Sequence, residues 1–172
     1  GITHKLDNGD ELILFQSPNH PNKKTEKLSL KKNFKDYAYQ FKHDSFIYID
    51  NNKQLVRFLR DWPGNIPVFY YYSIDTKELI ISDNIHILAK TINAPRTSKH
   101  GLKLFITGRK HMHGYTIYDK IYTLHPGLYI ELDKNSFKIS NRWWYKPFKK
   151  ITIKDSKVAR KNYLDALDST IK

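Results

Sequence analysis

Between Phe46 and Ser82 the sequence is a run of short apolar, β-branched and aromatic segments, each closed by a turn signal. Phe46-Ile47-Tyr48-Ile49-Asp50 leads through Asn51-Asn52-Lys53 into Gln54 to Arg60, and Asp61-Trp62-Pro63-Gly64-Asn65 then turns the chain into Ile66 to Ser73. Asp75-Thr76-Lys77 turns it again into Glu78 to Ser82. Side chains of these types fit a pleated, half-buried surface, and links this short force neighbouring strands to run antiparallel. The pattern predicts a meander of four strands, with Ile66 to Ser73 lying between its two sequence neighbours.

The flanking segments read less uniformly. Glu11 to Phe15 is a strand after the turn signal Asp7-Asn8-Gly9-Asp10, and Ser17 to Lys24 is a loop fixed by Pro18 and Pro21. Weak alternation up to Phe41 (Leu28, Leu30, Phe34, Tyr37, Tyr39) predicts one or two further strands. After Ser82 the period changes: Ile85, Leu88, Ala89 and Ile92 form one helical stripe, capped by Ser82 or Asp83 and ended by Asn93-Ala94-Pro95. Thr97 or Ser98 opens a second helix holding Leu102, Leu104, Phe105 and Ile106, closed by Gly108. Thr116 to Leu124, Leu128 to Leu132 and Ser136 to Ser140 are strand candidates, and Arg142 to Pro147 is an extended aromatic segment. Past the basic stretch Phe148 to Lys154, Asp155 or Ser156 caps a helix with Leu164, Leu167 and Ile171 on one face. Such a helix cannot bury its stripe alone.

The 172 residues suit one domain, residues 1–147, followed by a linker and the first helix of a second, residues 148–172. Hydrophobic residues at 40 % and aromatics at 14 % are enough to build a core, which excludes wholesale disorder. The longest apolar runs are too short for a membrane helix, and no secretory leader pattern opens the sequence; a cytoplasmic protein without membrane contact is expected. With no cysteine, disulfides, thiolate metal sites and a cysteine nucleophile are all excluded. The net charge of +13 invites a nucleic-acid reading, but scattered lysine carries it and arginine is scarce, which argues against one. The densest basic stretch, Lys146 to Lys161, reads as a solvated linker.

Taken in order, these segments resemble the glutamine-amidotransferase domain of the asparagine synthetase family. The family's Arg-Asp-x-x-Gly-x-x-Pro-Leu-Tyr-Tyr segment is similar to Arg60-Asp61-Trp62-Pro63-Gly64-Asn65-Ile66-Pro67-Val68-Phe69-Tyr70, and its phenylalanine-rich strand to Phe46 to Asp50. Its strand entering a helix through Ala-Ser-Glu is similar to Leu79 to Leu88, and its Thr-Leu-Phe-x-x-Ile-x-x-Leu-x-Pro-Gly stretch to Thr116 to Gly127. Arg142-Trp143-Trp144-Tyr145-Lys146-Pro147 matches the exit from the domain. The likeness covers about residues 45–147 and implies an α+β fold of stacked antiparallel sheets with helices outside, the amino-terminal-nucleophile (Ntn) sandwich, incomplete at its front.

The family's working glutaminases use an amino-terminal cysteine, and this chain begins Gly1-Ile2-Thr3. The family's Arg-Gly-Pro-Asp and Asn-Gly-Glu segments, which hold glutamine, have no counterpart before Ser45. Thr3 and Ser17 have no base placed beside them to replace the thiol. Asp44 lies where the family can supply a ligand to the glutamine amine. Arg60, Asp61, Gly64, Pro67, Pro126 and Gly127 are expected to shape turns, not to carry chemistry. His111 and His113, with His100 nearby, have metal-ligand spacing, but Lys110 adjoins the pair and no acidic ligand stands close, so a solvated loop is the better reading. No metal or cofactor is expected in this chain.

The resemblance implies a glutaminase-dead domain joined in cis or in trans to a synthetase domain that uses ATP and magnesium to form an amide. A second copy of the chain is a further candidate partner. The alternatives are a fragment of a working amidotransferase and a free-standing basic domain that binds nucleic acid.

Overall fold

The computed structural model describes residues 2–6, 8–15, 34–41, 43–93, 96–108, 114–145 and 155–171. Nine strands form two antiparallel sheets among them. The larger sheet orders β1 (Ile2–Lys5), β2 (Glu11–Phe15), β3 (Ser45–Asp50), β4 (Leu55–Leu59), β8 (Leu128–Asp133) and β9 (Lys138–Trp143). The smaller places β5 (Phe69–Ser73) between β6 (Glu78–Ser82) and β7 (Ile121–Thr123).

Register turns the period of two into layers. Leu14, Phe46, Leu59 and Tyr129 stand side by side across four strands, and all belong to an apolar cluster completed by Phe34, Tyr37 and Ala38 of α1 (Phe34–Gln40). One residue along each strand, Ile13, Ile47, Phe58 and Ile130 align on the opposite face. There Phe58 and Ile130 pack with Val68 and Leu124, against Tyr70 of β5 and Leu79 and Ile81 of β6. The far face of the small sheet gives Phe69 and Ile121 to a third cluster, closed by Leu88 and Ala89 of α2 (Ile85–Thr91). The order of layers is therefore helix, sheet, sheet, helix, with one core between the sheets and one under each helix.

Several expectations change. The stretch up to Phe41 does not form strands where it is described: Phe34 to Gln40 is helical, because Phe34, Tyr37 and Ala38 at i, i+3 and i+4 all bury on the large sheet while Tyr39 points outward. The four-stranded meander is broken after its first hairpin. β3 pairs β4 and β5 pairs β6, but β4 takes β8 as its second neighbour, and the chain crosses to the other sheet between Arg60 and Val68. β5 is a central strand as expected, with β7 where β4 was predicted. The α2 cap is Asn84, whose Oδ1 accepts from the N–H groups of His86 at 2.9 Å and Ile87 at 3.1 Å, in place of Ser82 or Asp83.

Ser98 caps α3 (Lys99–Ile106) and Gly108 follows it at φ +70°, as expected. Leu102 and Ile106 nevertheless face outward, and only Gly101 is buried. The strand predicted over Thr116 to Leu124 is confined to Ile121–Thr123, whereas β9 runs on to Trp143. The last helix, α4 (Ser156–Ile171), forms as predicted. The loop from Ser17 and the basic segment 146–154 lie outside the described residues.

Candidate functional site at the convergence of the motifs

Three segments far apart in sequence meet at one end of the sandwich: the crossover after β4, the turn before β8 and the strand end after β9. Asp61 is the hub and is fully buried. Its Oδ2 accepts the Asn65 N–H at 2.7 Å, and its Oδ1 accepts the Ile66 N–H at 3.2 Å and the Ser45 hydroxyl at 3.0 Å. Ser45 Oγ in turn accepts the Asp61 N–H at 3.1 Å. The carboxylate thus caps a loop that turns tightly at Gly64, where φ is +75°, and ties it to the first residue of β3.

Arg60 stitches this loop to the next one. Its Nη1 donates to the Leu124 carbonyl and its Nη2 to the Gly64 carbonyl, both at 2.9 Å. Its Nε is buried with no acceptor among the described residues. Burial lowers the pKa of the guanidinium and the neighbouring Asp61 opposes that shift. Gly64 faces Pro126 so closely that a Cβ on Gly64 would stand 2.7 Å from Pro126 Cγ. Gly127, at φ +75°, offers its carbonyl to the N–H groups of Trp144 at 3.0 Å and Tyr145 at 3.3 Å. Trp144 Nε1 donates to the Arg60 carbonyl at 3.0 Å, which closes the ring of contacts. Pro67 sits half-buried in the crossover between buried Ile66 and Val68.

The outer surface of this knot is aromatic. Trp62 and Tyr145 lie 4.5 Å apart between ring centroids, Trp144 lies 5.6 Å from Tyr145, and Tyr39 meets Trp144 edge-on at 6.4 Å. Trp143 flanks Gly127 and is more than half exposed. Trp143 and Tyr39 are exposed, Trp62, Trp144 and Tyr145 are half-buried, and the Asp61 carboxylate is kept inward. Ser45 and Asp61 are sealed from solvent and spent on each other and on backbone groups, so neither is placed to attack a substrate.

Asp44 occupies the bend between α1 and β3, half-buried, with its N–H donating to the Phe41 carbonyl at 2.8 Å. It adjoins Ser45, the first residue of β3. Thr3 lies in β1, while Ser17, His111 and His113 lie outside the described residues. His100 packs on Tyr115 at 4.5 Å between ring centroids. Among the described residues no three His, Cys, Asp or Glu side chains gather as a metal site would require.

A family model for the glutamine amidotransferase domain matches residues 42–144. This chain belongs to that family. The matched span begins just before β3, ends at Trp144 and contains Ser45, Arg60, Asp61, Gly64, Pro126 and Gly127, whose contacts tie the crossover after β4 to the turn before β8 within it. No curated protein matches the chain. The sequence does not show Ser45 as the partner of Asp61, because nothing local marks a serine sixteen positions away as buried beside that carboxylate. Nor does it show that Leu102 and Ile106 of α3 face outward, because helical periodicity reports an apolar face and not what the face meets. No described helix is long and apolar enough to cross a membrane.

Proposed function

We propose that this chain is a glutaminase-silent amidotransferase domain that supports a following, ATP-dependent amide-forming domain of the asparagine-synthetase type. The observation that carries the proposal is a pairing: a family match over residues 42–144 in a chain that has no cysteine. With no cysteine among its 172 residues, this chain supplies no thiol to act as the activated nucleophile of glutamine hydrolysis. Ser45 is buried and Thr3 lies in an exposed edge strand. The helix–sheet–sheet–helix layering supports the Ntn reading. The aromatic surface of the knot, at the point where the chain passes beyond Tyr145, supports a docking role for the domain.

ATP and magnesium belong to the following domain in this proposal, and the supporting domain binds neither. The purified chain is expected to release no glutamate from saturating glutamine above the rate without protein. Release that scales with protein concentration and survives further purification overturns the reading. Glutaminase silence combined with tight, specific uptake of glutamine would redirect the proposal from support toward sensing.

A further inference from the structure

The turn between β1 and β2 holds the only Asn-Gly pair of the sequence, Asn8-Gly9; every other asparagine precedes a residue with a side chain. Asn8 and Gly9 are exposed, while Asp10 beside them is buried. The Asp10 Oδ2 accepts the Tyr48 hydroxyl and the Asn8 side-chain N–H, both at 2.6 Å, and its Oδ1 accepts the Asn51 N–H at 2.9 Å. Asn8 Oδ1 in turn accepts the Asp10 N–H at 3.1 Å, and the Gly9 carbonyl accepts from the Asn51 side chain at 2.7 Å. Through these bonds the turn is tied to β3 and the loop after it. Among the described strands β1 lies at the edge and pairs with β2 alone, so the turn and one ladder hold it.

An asparagine before glycine is open to attack by the next backbone nitrogen, which no Cβ shields. The space around Gly9 is free: a Cβ built there would meet nothing within 4 Å. In the attack the Gly9 nitrogen gives its proton to hydroxide and bonds to Asn8 Cγ. The Cγ–Nδ2 bond breaks, and the nitrogen takes a proton from water and leaves as ammonia, closing a succinimide. Water then adds at one of the two ring carbonyls and leaves aspartate or isoaspartate at position 8. The closed turn holds this chemistry back. The Gly9 N–H donates to the Leu6 carbonyl at 3.0 Å, and both polar atoms of the Asn8 amide are engaged by Asp10. Opening the turn frees the nitrogen and the carbonyl together.

We propose that Asn8 is a one-way latch on β1: water converts it when the turn opens, and the product keeps the turn from closing again. A carboxylate at position 8 has no N–H to give. It sets an acceptor against Asp10 Oδ2 where a donor stood, and brings two like charges together beside a group only 2 % exposed. Isoaspartate also lengthens the backbone inside a turn closed by the bond from the Leu6 N–H to the Asp10 carbonyl at 2.8 Å. The step consumes only water and does not rest on the amidotransferase reading.

The test is a timed incubation of the full chain at mildly alkaline pH, folded and in urea, read by tandem mass spectrometry. In urea, residue 8 is expected to exchange –NH2 for –OH ahead of every other asparagine. The folded chain is expected to convert there at least about tenfold more slowly, since only the opened turn reacts. Folded chain that has converted carries one more negative charge and separates by ion exchange. Hydrogen exchange on it is expected to show lost protection at the β1 amides with β3 and β4 unchanged, and Asn8→Asp is expected to reproduce that pattern. Earlier conversion of another asparagine in urea, equal rates in the two arms, or converted chain with β1 as protected as before overturns the proposal.

Discussion

Asp61 shows how a single buried carboxylate can be structural, accepting from two backbone N–H groups and a serine hydroxyl. Removing it by Asp61→Ala leaves the N–H groups of Asn65 and Ile66 without their acceptor in a dry site, and leaves the Ser45 hydroxyl only the Ile66 carbonyl at 3.3 Å. Each buried orphan costs about 1–3 kcal/mol, so partial relaxation puts the total loss at about 3–5 kcal/mol. Asp61→Asn keeps the volume and one acceptor oxygen, and about half that loss is expected. Urea unfolding checks both variants: the midpoints fall while the slopes stay constant. Gly64 separates two further costs. Gly64→Ala meets both a backbone at φ +75° and a clash with Pro126, and together they are expected to cost about 1–3 kcal/mol. Adding Pro126→Ala should relieve the steric part and leave the backbone part. Recovery to the stability of Pro126→Ala alone would show that the φ strain is absent. The sequence marks Arg60, Asp61, Gly64 and Pro126 as turn formers. It does not mark their mutual contacts, which join positions up to about eighty residues apart.

The elements divide by how their partners are chosen. Hairpins β3–β4, β5–β6 and β8–β9 are legible because a turn and its flanking strands are local. The crossover after Arg60 is not, since Asp61-Trp62-Pro63-Gly64-Asn65 signals a change of direction but carries no information on which sheet receives the next strand. Helix α1 departs from the strand pattern for a different reason. Tyr37 and Phe41 suit a period of two or of 3.6, and aromatic side chains tilt the choice toward strand. The large sheet decides it by burying Phe34, Tyr37 and Ala38 together. Helix α3 yields a prediction at this scale. Gly101→Ala places a methyl group into the Thr116 carbonyl, and backbone cannot move aside as a side chain can. The helix is expected to lift off, so amides 98–108 and 116–119 should lose hydrogen-exchange protection while β3 and β4 keep theirs. Uniform loss across the domain, or none, would place the seat of α3 elsewhere.

For the molecule as a whole, the two-sheet sandwich follows from alternation in the strands, while its closure depends on a seam of rings that only the folded chain assembles. Tyr70 packs on Phe58 across the seam at 5.4 Å, and the Tyr72 hydroxyl donates to the Phe137 carbonyl at 2.6 Å with the two rings stacked. Burial between the layers, with Tyr122 beside it, pushes Tyr70 from the usual 10 up to about 12. Below pH 10 the phenol keeps its proton in both the folded and the unfolded chain, and the stability it contributes is fully present. Between pH 10 and about 12 the unfolded chain releases that proton and the folded chain retains it, so stability falls as pH rises. Two pH units correspond to about 2–3 kcal/mol, lost progressively over that window. Tyr37 and Tyr48 are also raised by burial near Asp10, so the alkaline slope has more than one source. Tyr70→Phe keeps the ring in the seam and removes only the proton. The variant is therefore expected to match the parent in urea just below pH 10 and to lose less stability than the parent on approach to pH 12. Equal losses in the two proteins would mean that Tyr70 ionises freely and that the seam between the sheets admits water.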